Sequence, residues 1–184
     1  MAMGLGMAAA CGGGSDVPSA TLAPVPTTTS VDPYAVPAVV DEAYVNRVLA
    51  ALDAAVGDVV RLVVRERAVT PEAVTRLEAI YDGEALDLTT RLLRESIARR
   101  AARGPEPGDV RTSVRRLLSV ANGCVFAEVE RDYSAASGLE GRHTEWVVLT
   151  PGQRVDPNPT PWVVIYDGFE EGFSAPEGPC DAQA

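Results

Sequence analysis

The chain has 184 residues, an apolar fraction of 46% and a formal net charge of −10, enough for one domain once a non-globular start is set aside. The acidic balance argues against general nucleic-acid binding. All 16 basic residues are arginines, which excludes chemistry that needs a lysine, such as a Schiff base or a phosphate-loop lysine.

The first stretch, Met1 to Ala10, ends in Ala8-Ala9-Ala10 immediately before Cys11. Small side chains at those positions suit a signal peptidase. The segment resembles the end of a bacterial lipoprotein signal, with Ala8 where leucine is usual. No basic residue precedes it, so the true start codon is expected upstream. Residues 1–10 read as a signal remnant and Cys11 as the lipidated residue. Residues 11–40 continue as Gly12-Gly13-Gly14-Ser15 and a Pro/Thr-rich run without periodicity, a tether rather than a fold. About 29 residues of such chain span roughly 30 Å. One acyl chain anchors weakly, so a lipoprotein cysteine would need two or more. The expected location is the extracytoplasmic face of a bacterial cell membrane, with the membrane as a partner through the lipid. No later apolar run is long enough to span a bilayer.

From Asp41 to Val69 an apolar stripe (Val45, Val48, Leu49, Leu52, Val56, Val59, Val60, Val63) recurs at helical spacing. Gly57 interrupts it, at a cost of up to ~1 kcal/mol relative to alanine. Thr70-Pro71-Glu72 starts a second helix that stops at Asp82-Gly83. A third is expected from Glu84 to Ala102, closed by Gly104-Pro105. The period then changes to that of strands. "VRTSVRRLLSVA", "CVFAEVERDY", "HTEWVVLT" and "WVVIYDGF" are four candidates, the first two joined by the hairpin signal Asn122-Gly123. Helices followed by an antiparallel meander predict an α+β domain, with three helices packed on one face of a curved sheet of about four strands.

The Cys124 strand "CVFAEVERDYSA", "EWVVLTPG", "NPTPWVVIYDG" and the late Cys180 together resemble the nuclear transport factor two-like (SnoaL-like) superfamily, as found in secreted lipoproteins of actinobacteria. The resemblance covers residues 41–180 and leaves 181–184 as a tail. It implies a cone-shaped α+β roll whose interior is either filled or hollow. Members include isomerases, hydrolases and non-enzymatic binding domains, so the fold alone assigns no activity.

A two-residue turn sets the hairpin register. Ala121 is expected opposite Cys124, Leu118 opposite Ala127, Arg116 opposite Val129 and Arg115 opposite Glu130. Val114, Leu118, Val120, Val125, Ala127 and Val129 then face the helices. Leu117, Phe126, Glu128, Glu130 and Asp132 face outward, as does Cys124. A chain end crossing that outer face can reach Cys124, and "EGPCDAQA" offers Cys180, so a Cys124–Cys180 disulfide is expected. Closing a loop of about 56 residues is worth roughly 4 kcal/mol. Arg116, Arg131 and Tyr133 are expected on the helix side at the end away from the turn, joined by Glu145. They read either as a polar anchor for a ligand at a cavity mouth or as arginine stems lying along apolar surface.

Other chemistry is sparse. His143 is the single histidine and cannot form a multi-histidine metal site. Glu128, Glu130 and Asp132 share a face that suits either a cation or simple solvation opposite Arg115. Residues 91–116 hold eight arginines against three acids, a face for anionic headgroups or a solvated helix surface. The function expected is a non-enzymatic, cell-surface binding or assembly module without metal or cofactor. A filled cone with an apolar outer face of Phe126 and Trp146 would suit a protein partner or homodimer. A hollow one would carry a small amphipathic or acidic ligand. A carboxylate or His143 inside it, beside a second polar group, would suit an isomerase or hydrolase.

Overall fold

The computed structural model describes residues 32, 34–98, 106–121, 123–136, 141–169 and 179–180. The signal remnant and Cys11 lie outside the described residues, as do residues 12–31 and 33 of the tether. Asp41 caps the first helix, its carboxylate accepting the Tyr44 N–H at 2.7 Å, and α1 runs Glu42–Glu66. The helix stops short of the expected Val69 because Arg67 turns left-handed (φ 52°) and its N–H bonds back to the Val63 and Val64 carbonyls. α2 (Pro71–Glu78) starts as expected, with the Thr70 hydroxyl accepting the Ala73 N–H at 3.2 Å. α3 spans Gly83–Ala98; its expected continuation to Ala102 lies outside the described residues.

Four antiparallel strands follow, β1 (Arg111–Ala121), β2 (Cys124–Asp132), β3 (Arg142–Pro151) and β4 (Trp162–Phe169), in the spatial order β1-β2-β3-β4. The helices pack on one face of this meander, the expected α+β arrangement. The main core joins the buried stripe of α1 to Val125, Ala127 and Val129 of β2 and to their neighbours on β3 and β4. Between α2 and α3, the chain bonds to the free edge of β4. Val164 N–H donates to the Ile80 carbonyl and Asp82 N–H to the Val164 carbonyl, both at 2.9 Å. Part of an edge strand is thereby covered, and Tyr81 is fixed against the sheet.

The hairpin starts in the expected register, Ala121 opposite Cys124 and Val120 opposite Val125. Two bulges then break the alternation, one at Leu118 and one at Arg115. Leu117 rather than Leu118 faces Ala127, Arg116 faces Glu128 and Val114 faces Val129. A bulge sets two residues against one and reverses the facing of the residues beyond it. Leu117 accordingly packs against the main core, while Leu118 packs outside with Phe126 and Trp146. The expected inward placement of Arg116 is also corrected: it lies on the outer face, exposed, and pairs with Glu128 at 2.8 Å. Val120, expected in the core, is 46% exposed. A third bulge lies in β4. Leu149 pairs with Val164 but Val148 with Tyr166, so Ile165 is the extra residue and Asp167 turns to the helix side.

The connection before β4 is organised by Asn158, which is wholly buried. Its amide donates to the Ala79 carbonyl at 2.8 Å and the Trp162 carbonyl at 2.7 Å, and its oxygen accepts the Thr160 N–H at 2.9 Å. Trp162 in turn donates its indole N–H to the Tyr44 hydroxyl at 2.8 Å, which donates to the Tyr34 carbonyl at 3.1 Å. The chain entering α1 is thus tied to the base of β4.

Candidate functional site

Helices and sheet part to enclose a cavity of about 670 Å³, within the range of small-molecule sites. Its walls are chiefly apolar, with Val56, Val60 and Val64 of α1 facing Leu88, Leu92 and Ile97 of α3. Arg67 and Leu92 line it while remaining exposed, so it reaches solvent beside the end of α1.

The opposite end is polar. Arg131 on β2, 8% exposed, sends Nη1 to Asp167 Oδ2 on β4 at 2.7 Å and to Glu145 Oε2 on β3 at 3.3 Å. Tyr133 donates its hydroxyl to Glu145 Oε1 at 2.7 Å. Asp53 reaches the same end from α1, its carboxylate accepting the Thr112 N–H at 2.8 Å and the Thr112 hydroxyl at 3.0 Å. Asp53, Arg131, Tyr133, Glu145 and Asp167 all line the cavity with Tyr81. Three carboxylates therefore face one guanidinium.

Burial dominates the electrostatics. It pushes the Glu145 carboxyl up to about 7, against the pull of Arg131. Burial pushes Asp53 up to about 6, again opposed by Arg131 and by the Thr112 hydrogen bonds. The Tyr133 and Tyr81 phenols are also raised by burial and stay protonated. Burial works against the charge of Arg131, yet Asp167, Tyr133 and Glu145 hold it well above its ordinary value. The Arg131 Nε–H, also buried, has no hydrogen-bond acceptor among the described residues.

No family model, curated protein or solved structure matches this chain. The site rests on its own geometry.

Of the expected site residues, Arg131, Tyr133 and Glu145 come together and Arg116 does not. Cys124 and Cys180 are disulfide-bonded, with Cα atoms 5.3 Å apart, beside Phe126, Trp146 and Val148 on the outer face. His143 packs edge-on against the Tyr133 ring, centroids 5.8 Å apart. The acid row pairs with arginines: Glu128 with Arg115 and Arg116, Glu130 and Asp132 with Arg142. The arginine-rich segment is divided between exposed positions on α3 (Arg91, Arg94) and the outer sheet face, while 99, 100 and 103 lie outside the described residues. Two cavity carboxylates were missed in the sequence. Asp53 carried a signal, an acid within the inward arc of α1 between Leu49 and Val56. Asp167 carried none, because its facing depends on the bulge at Ile165.

Proposed function

We propose that this protein is a binding module that holds a small amphipathic ligand in the cavity between its helices and sheet. In this reading it stands at the extracytoplasmic face of a bacterial cell membrane, tethered through lipid on Cys11, and shares the nuclear transport factor two-like architecture. The observation that carries it is the cavity itself, apolar along its walls with a charged cluster at one end. That combination buries a ligand's body and orients its head. The crowd of carboxylates favours an amphipathic ligand over an acidic one. Assembly through the outer sheet face has less support, since Phe126 and Trp146 are themselves buried, 7% and 8% exposed.

The test is uptake of Nile red, a neutral apolar dye. Val60→Trp, which fills the space between α1 and α3, should abolish the fluorescence rise while the melting temperature holds. Equal dye binding in both proteins refutes the cavity reading. Cys11→Ala should shift the full-length protein from the membrane to the soluble fraction, and retention on membranes refutes the anchor.

A second reading has one observation in its favour. Glu145 sits in the cavity beside the Tyr133 hydroxyl, and a carboxyl that exchanges its proton near neutrality suits general acid–base catalysis by a SnoaL-like isomerase or hydrolase. Chemical conversion of a captured ligand by the native protein, lost in Glu145→Gln, would establish it.

A further inference from the structure

We propose that the ligand carries a cationic amine as its polar head, seated among Asp53, Glu145 and Asp167, with its apolar body along α1 and α3. The inference rests on the binding reading above and adds the ligand's charge. Three carboxylates from three different elements face the same end of one cavity, and a single guanidinium is shared between two of them. Arg131 is already committed to Asp167 and Glu145, so it has no charge to spare for an anionic head. Among the described residues Asp53 accepts hydrogen bonds only from the neutral Thr112, and Arg131 acts on it through the field alone. A buried carboxylate without a counter-ion is costly and holds its proton instead, and a bound cation gives the ionised form a partner. Among the described residues, no three His, Cys, Asp or Glu side chains are arranged to hold a metal ion, which together with the apolar walls selects an organic cation.

Binding must then depend on pH. The groups facing Glu145 are Arg131 from β2, Tyr133 just after it and Asp167 from β4. Asp53 from α1 and Tyr81 from the α2–α3 connection share the same electrostatic network, and His143 touches Tyr133. An alkylamine stays protonated across neutral pH, as lysine does, while Glu145 loses its proton near 7. If the amine needs the ionised carboxylate, its affinity falls about 30-fold between pH 8 and 5.5.

The experiment is calorimetric titration of the full chain with three probes that share a ten-carbon body: decylamine, decan-1-ol and decanoate. Decylamine should bind about tenfold or more tighter than decanol at pH 8, as expected for a charge-assisted contact. It should weaken about 30-fold by pH 5.5, while decanol barely changes. Glu145→Gln should keep decanol affinity and lose most of the pH dependence for the amine; Asp53→Asn, which leaves the β-sheet cluster intact, should weaken the amine selectively. Decanol or decanoate binding as tightly as decylamine at pH 8, or amine binding that ignores pH, overturns the cation while leaving the cavity reading in place. An unchanged amine profile in both variants overturns it too. No binding of any probe, with no uptake of Nile red, overturns both.

Discussion

Replacing Glu145 by glutamine should change how stability responds to pH, in the opposite sense to the usual salt-bridged acid. The native carboxyl keeps its proton up to about pH 7, whereas the unfolded one loses it near 4.5. Between those values the folded state binds the extra proton, so raising the pH favours unfolding. At 1.36 kcal/mol per pH unit, the gap corresponds to about 3 kcal/mol lost by pH 8. The Glu145 side chain is only 2% exposed, so little solvent screening reduces that figure. Glutamine resembles the protonated form and keeps an oxygen for the Tyr133 hydroxyl. Its advantage over the native residue should therefore be absent below pH 4.5 and grow to about 3 kcal/mol above pH 7. Urea unfolding at pH 4.5, 6 and 8, followed by fluorescence of Trp146 and Trp162, measures this as a difference between the two proteins. Asp53 adds a slope of the same sign between 3.8 and about 6, but that contribution is common to both and cancels. Parallel stability profiles would refute the account of the cavity cluster as a buried, proton-holding site.

Other positions give independent checks. Cys124→Ala/Cys180→Ala opens a loop of 56 residues and should cost about 4 kcal/mol, or roughly 12 °C in melting temperature; the same midpoint with and without reductant would refute a stabilising bond. Asn158→Ala removes the amide donor to the Ala79 carbonyl and the acceptor of the Thr160 N–H in a buried site, while the Trp162 carbonyl keeps the Thr160 hydroxyl. It should cost about 3 kcal/mol in urea unfolding, and a loss under about 1 kcal/mol would mean the network is replaceable. Gly57→Ala should bring no net gain despite better helix propensity, because the new methyl would collide with Asp109 Oδ1, the atom that pairs with Arg61 at 2.6 Å. With Asp109→Ala already in place the same change should stabilise by up to about 1 kcal/mol; equal effects in both backgrounds would show that the glycine is there for another reason.

Much of the architecture is legible residue by residue. Asp41 and Thr70 are caps because their short oxygens reach the backbone N–H groups of the first turn, and nothing distant is needed for that. The stripe from Val45 to Val63, the change of period after Gly104 and the turn at Asn122-Gly123 act over a few residues, and they define three helices followed by a meander. The Cys124–Cys180 bond was legible too, because the first pairs after the turn precede any bulge and leave Cys124 on the outer face.

What could not be read is which way side chains point once the alternation is interrupted. The bulges at Leu118, Arg115 and Ile165 show only in the pairing of β1 with β2 and of β3 with β4, and a bulge bends the strand that carries it. The bulge at Leu118 exchanges Leu117 for Leu118 and turns Arg116 out to Glu128, the one at Arg115 returns Val114 to the core side, and the one at Ile165 turns Asp167 in to Arg131. The cavity is likewise a property of distance between α1, α3 and the sheet, and no local pattern encodes a gap. Local backbone chemistry names the elements; the meeting of Asp53, Glu145 and Asp167 around one arginine arises only when those elements pack, because the three acids are far apart along the chain and are brought together by the core beneath them.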